Sequence, residues 1–141
     1  MTSVLRLGPE DNFSLQEAGR VLYAQGWPEV HTVRNMLAQW EWLVAQVERG
    51  YTATLSEYLD DLSCREWLSR AGLLVTEPAR TLLDQALQPL DTRFQAATED
   101  DGSGALARHG HAGQGDGWWW KRVPRRLIGR LATDLARFRG R

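Results

Sequence analysis

The chain has 141 residues and a formal net charge of -1, with 43% hydrophobic and 25% charged residues. That is the size and composition of one globular domain able to bury a core, and it excludes a wholly disordered chain. No apolar run approaches the roughly 20 residues of a membrane span. Met1 to Leu7 lacks the layout of a secretory signal, and a single cysteine, Cys64, excludes an internal disulfide or a cysteine-rich zinc site; the expected compartment is cytoplasmic.

The small net charge conceals a split. Residues 1–117 carry 9 arginines against 17 acids, net -8, while residues 118–141 carry 8 bases against one acid, Asp134, net +7. Such asymmetry points to a tail that seeks an acidic partner or one that folds onto its own acidic body. Only one base is a lysine, Lys121, so the number of arginines alone is weak ground for phosphate binding.

Taken in chain order, Ser14–Glu17 has capping-box spacing and opens a short helix to about Ala24, stopped by Gly26-Trp27-Pro28. Val30, Val33, Leu37, Trp40, Val44 and Val47 then recur at 3 and 4 residues, flanked by Met36 and Leu43 and closed by Gly50. This predicts a long helix with one buried face, Trp40 inward and Trp42 outward. Thr54–Glu57 is a second capping box. Leu55, Tyr58, Leu59 and Leu62 share a face, after which the stripe moves to Cys64, Trp67, Leu68 and Ala71. With a third capping-box pattern at Ser63–Glu66, that shift predicts a kink or break near Ser63. Thr76 and Pro78 open another helix, through Leu82, Leu83 and Leu87, which Pro89 either kinks or ends.

Residues 99–117 hold six glycines and few large apolar residues, and read as a Gly-rich flexible loop. Trp118-Trp119-Trp120 follows, then Lys121-Arg122-Val123-Pro124-Arg125-Arg126. An extended 118–123 would put Trp118 and Trp120 on one side and Trp119 on the other. A last helix, 126–138, places Leu127, Leu131, Leu135 and Phe138 on one face. The expected architecture is mainly α: a helical bundle over 1–98, the loop over 99–117, and an aromatic and basic element over 118–141 folded back as part of the same domain.

Three groups of residues invite a chemical reading. The tryptophans beside arginine suit a protein interface, base stacking, or a clamp holding the tail to the bundle with Lys121 and Arg122 over indole faces. Asp60 and Asp61 are adjacent, about 100° apart on a helix, and form no close catalytic pair; they suit solvated acids or an ion pair to an arginine of the tail. His109-Gly110-His111 has metal-ligand residue types without the further ligands a site needs. Cys64 reads as a small buried apolar residue. No phosphate-binding glycine loop and no nucleophile elbow occurs.

Tyr58–Leu62, Leu90–Thr98 and Trp118–Pro124 resemble segments of small uncharacterised actinobacterial proteins, over roughly residues 50–126. The resemblance implies no activity; it makes the three segments candidates for one shared surface. In size, acidity of the body and helical content the chain is also similar in type to immunity proteins that neutralise toxins. The expected function is therefore a non-enzymatic protein-binding module, an inhibitor that occludes a partner's active surface, the partner being another protein such as a toxin. The candidate contacts are Asp60, Asp61, Arg65, Asp91, Arg93, Trp118, Trp119 and Arg122. The alternatives are a nucleic-acid-associated regulator using Arg122, Arg125, Arg126 and Arg130, and an enzyme built on Asp60, Asp61, Asp91 and an arginine. No catalytic residue, metal or cofactor is assigned.

Overall fold

A computed structural model of the chain describes residues 9–102, 104–109, 115 and 117–139. It is mainly helical, as expected: α1 (Pro9–Ala24), α2 (Val33–Arg49), α3 (Leu55–Leu74), α4 (Ala79–Ala97), α5 (Ala105–His109) and α6 (Gly129–Arg139). A two-stranded antiparallel ribbon joins β1 (Thr98–Asp100) to β2 (Arg122–Pro124), with Glu99 opposite Val123. His111 lies outside the described residues, as do the side chains of Ser14 and Phe138.

Helix α2 follows its sequence pattern. Thr32 caps it, its hydroxyl accepting from Asn35 N–H at 3.1 Å, the bond that satisfies an orphan first-turn amide. Val33, Met36, Leu37, Trp40, Leu43, Val44 and Val47 are buried. Trp40 is 0% exposed and Trp42 49%, the predicted division. Val30 is outside the helix and 55% exposed: the cap at Thr32 starts the helix later than the apolar spacing suggested.

Of the kink or break expected near Ser63, helix α3 excludes the break. Thr54 caps it, accepting from Glu57 N–H at 3.1 Å, and the Thr54 hydroxyl donates to the Glu57 carboxylate. The helix then runs unbroken to Leu74. Ser63 makes no cap; its hydroxyl donates to Asp60 O, a local back-bond that a continuing helix accommodates. The stripe changes face because α3 is central. It packs against α1, α2, α4, α5, α6 and the turn at Trp118–Lys121, and residues 64–68 are buried without interruption. A stretch of helix covered on all sides has no single apolar stripe. Pro89 likewise sits inside one continuous helix, α4.

The stretch read as a Gly-rich loop is structured in part, over residues 99–100 and 105–109. Thr98–Asp100 is a strand, and Ala105 and Leu106 of α5 are fully buried. The flexible-loop reading is thus corrected for those residues; residues 103, 110–114 and 116 lie outside the described ones. Nor is 118–123 extended throughout. Trp118–Lys121 is one 3-10 turn, and only Arg122–Pro124 is strand. The tight turn buries the adjacent Trp119 and Trp120 together and leaves Trp118 half-buried, so two-sided alternation never applies.

The C-terminal element folds back on the bundle. Val123, Leu131 and Leu135 are fully buried, and Tyr51 bridges Leu127. Gly129 permits the approach: its φ is +61°, and a Cβ there would lie 2.9 Å from Thr52 O, whose carbonyl accepts from Arg130 N–H at 3.1 Å. The tail's one acid, Asp134, accepts from Leu55 N–H at the head of α3 at 2.9 Å. Docking is therefore mainly apolar. Among the described residues, the cross pair Arg122–Asp100 is 3.5 Å long with the Asp100 side chain 90% in water, and such a pair adds little.

Candidate functional site

The candidate contact residues separate into a buried group and an exposed group. Arg65, from the middle of α3, meets Asp91 of α4 through two parallel bonds of 2.9 Å, Nε to Oδ1 and Nη2 to Oδ2. Trp40 Nε1 donates to the same Oδ1 at 3.0 Å, so both carboxylate oxygens are engaged. The Arg65 guanidinium lies 4.5 Å from the centre of the Trp119 ring, a cation–π contact. The arginine over indole is thus Arg65, in place of the expected Lys121 or Arg122. Trp118 completes the layer, edge-on to Trp119 and tilted against Phe94.

One residue along, Glu66 is buried and accepts from Trp120 Nε1 at 2.7 Å and from Arg70 Nε at 2.9 Å. The sequence marks Glu66 only as the last position of a capping-box pattern, and nothing there identifies it as the acceptor for an indole 54 residues away. Arg122 is consumed in the same way. Its Nε donates to Thr98 Oγ1 and its Nη2 to the carbonyls of Thr98 and Gln95, while Tyr58 OH donates to Arg122 O at 2.7 Å. Arg65, Asp91, Trp119 and Arg122 therefore knit α2, α3, α4 and the C-terminal element together. Trp67 and Trp119 keep buried indole N–H groups without an acceptor among the described residues.

Arg93 and Asp60 face outward, and Asp61 is half-buried. Arg93 forms a paired contact with Glu48 of α2, 2.6 and 3.1 Å, on the surface; the arginine holds the Glu48 carboxyl below its ordinary value. Asp60 is exposed beside Glu57, one turn earlier on α3. Asp61 takes the Tyr51 hydroxyl at 2.5 Å where an arginine of the tail was one expectation. Burial pushes the Asp61 carboxyl above its ordinary value; the Tyr51 bond opposes that, and the charges of Asp60 and Glu57 add to it. Burial and the Asp61 carboxylate both raise Tyr51. Glu57, Asp60 and Asp61 are thus one acidic turn. Cys64 is buried and its thiol pushed far up by that burial, as befits a packing residue.

Arg125, Arg126 and Arg130 are exposed, and Arg126 Nη1 donates to Arg49 O at the foot of α2. His109, read from sequence only as a metal-like fragment, lies 3.0 Å from Ser56 Oγ. No group of three or more His, Cys, Asp or Glu side chains is arranged to hold a metal among the described residues. No family model, curated protein or solved structure matches the chain.

Proposed function

We propose that the chain is a protein-binding module that blocks a basic surface of its partner, in the manner of an immunity-type inhibitor. The observation that carries this reading is the acidic turn. Glu57, Asp60 and Asp61 crowd one face of α3; burial raises the Asp61 carboxyl, and the charges of Asp60 and Glu57 add to that rise. A cationic partner surface relieves that repulsion on binding, and complementary charge speeds encounter and fixes register. The contact set is narrower than the sequence suggested: Asp60 and Asp61, joined by Glu57, with Arg93 at the surface of α4. Arg65, Asp91, Trp119 and Arg122 shape the scaffold beneath. An Asp–Arg catalytic site finds no support, since Arg65 and Trp40 occupy both oxygens of Asp91.

The test is capture of a partner by the full-length chain from an extract of the cells that produce it. The Glu57→Gln/Asp60→Asn/Asp61→Asn variant runs alongside, with its fold checked by circular dichroism. A protein held by the wild type and lost by the variant supports the reading; equal retention overturns the assigned face. A second reading rests on Arg125, Arg126 and Arg130, which stay in solvent while Arg122 does not. Binding to a random DNA duplex that weakens steeply with salt, and is lost when these three become glutamine, would transfer the function to that surface.

A further inference from the structure

A cavity of about 300 Å³ opens at the head of α3, lined by Thr54, Leu55, Ser56, His109, Asp134 and Arg137. Three elements meet there: α3, the short α5 and α6. Ser56 Oγ and His109 Nε2 are 3.0 Å apart, from positions 53 residues distant in sequence. Both residues are exposed on the cavity side. With the imidazole proton on Nδ1, the hydroxyl donates to Nε2, the relation of a serine nucleophile to its general base.

The backbone around Ser56 adds to this. Leu55 N–H donates to Asp134 Oδ2 and Glu57 N–H to Thr54 Oγ1. Ser56 N–H lies between them in the first turn, where the helix offers no acceptor. The amide of the attacking residue is a recurrent donor to the oxyanion of acyl transfer. Asp134 and Arg137 bring one charge of each sign to the cavity wall, a balance that favours a neutral ligand. The volume suits a small one.

We propose that Ser56 is an acyl-accepting nucleophile activated by His109, and that its substrates are small neutral esters. Ser56 Oγ bonds to the ester carbonyl carbon as its proton passes to His109 Nε2. The carbon–oxygen bond to the alcohol breaks, and the alcohol leaves with that proton. Water then attacks the acyl-serine, giving its proton to Nε2; the carboxylic acid departs and the proton returns to Ser56. No oxidant or metal enters. The site is independent of the acidic turn as a partner surface, and each stands or falls by its own variants.

The experiment treats the full-length chain with a fluorophosphonate, which bonds to an activated serine oxygen with loss of fluoride, and maps the adduct by peptide mass. Release of p-nitrophenol from p-nitrophenyl acetate is followed in parallel. The expected result is an adduct on Ser56 and hydrolysis that falls by about a hundredfold in His109→Gln and is lost in Ser56→Ala, both with unchanged circular dichroism. No adduct, an adduct confined to other residues, or a His109→Gln protein as fast as wild type would overturn the proposal. The adduct is mapped on the unaltered chain, so the outcome does not depend on either variant folding.

Discussion

Two arginine–carboxylate pairs tie α4 to its neighbours, with nearly the same atoms and opposite surroundings. Arg65–Asp91 retains 10% and 20% side-chain exposure; Arg93–Glu48 retains 44% and 37%. Both are two-bond contacts of good length. The buried pair also accepts an indole N–H and lies under a tryptophan ring. Water competes little for it, and losing one partner strands the other in a poor solvent. The exposed pair competes with water and salt, and such pairs contribute little. Identical chemistry therefore becomes a keystone of the fold in one place and a surface feature in the other, and burial makes the difference.

The strongest way to break that contrast is to remove the cover. A chain ending at Gly117 loses Trp119, Trp120, Val123, Leu131 and Leu135, all buried. At about 1.5–3 kcal/mol for each fully buried large side chain, the loss is comparable to the roughly 5–15 kcal/mol that holds a domain together. The truncated chain should unfold or aggregate, as a thermal melt and light scattering would show. A monomeric truncated chain with an unchanged melt would make the tail a free arm and favour the nucleic-acid reading. Added salt should loosen the full-length protein only slightly, because the docking is apolar.

Asp91→Ala is the next largest effect. It leaves the Arg65 guanidinium and the Trp40 N–H without their acceptor and should cost about 3–5 kcal/mol in denaturant unfolding. Glu48→Gln, at the exposed pair, should cost less than about 1 kcal/mol. Similar losses for the two would erase the distinction drawn here.

Much of this architecture is legible in the sequence, and the limits are physical. Helix α2 buries one face, so its spacing shows. Helix α3 is buried all round over residues 64–68, so its apolar pattern changes face there and imitates a break. The tryptophans are visibly unusual, but their direction depends on a 3-10 turn that periodicity does not encode. Arg65, Asp91 and Arg122 stand out in the sequence as candidate contacts, yet charge type alone does not tell an inward ion pair from an outward one. The sequence does not connect Ser56 with His109, because only the docking of α5 brings them together.

The smallest expected effect is in pH dependence, where two carboxylates act with opposite signs. Arg93 lowers Glu48, so the stability that Glu48 contributes is present above its ordinary value near 4.5 and is lost as pH falls through the lower folded value. Burial raises Asp61, so its cost is absent below about 3.8 and grows as pH rises through the raised folded value. Stability measured from pH 3 to 7 should therefore show a weaker acid loss in Glu48→Gln. Asp61→Asn should gain relative to wild type as pH rises. An equal pH dependence in both variants and wild type would show that neither carboxylate is held as described.

A pair of double-mutant cycles tests the central contrast most directly, combining Arg65→Ala with Asp91→Ala and Arg93→Ala with Glu48→Ala, read by urea unfolding. The account predicts a coupling of about 2–3 kcal/mol for the buried pair and below about 1 kcal/mol for the exposed one. Equal couplings, or a larger one at the surface, would contradict it.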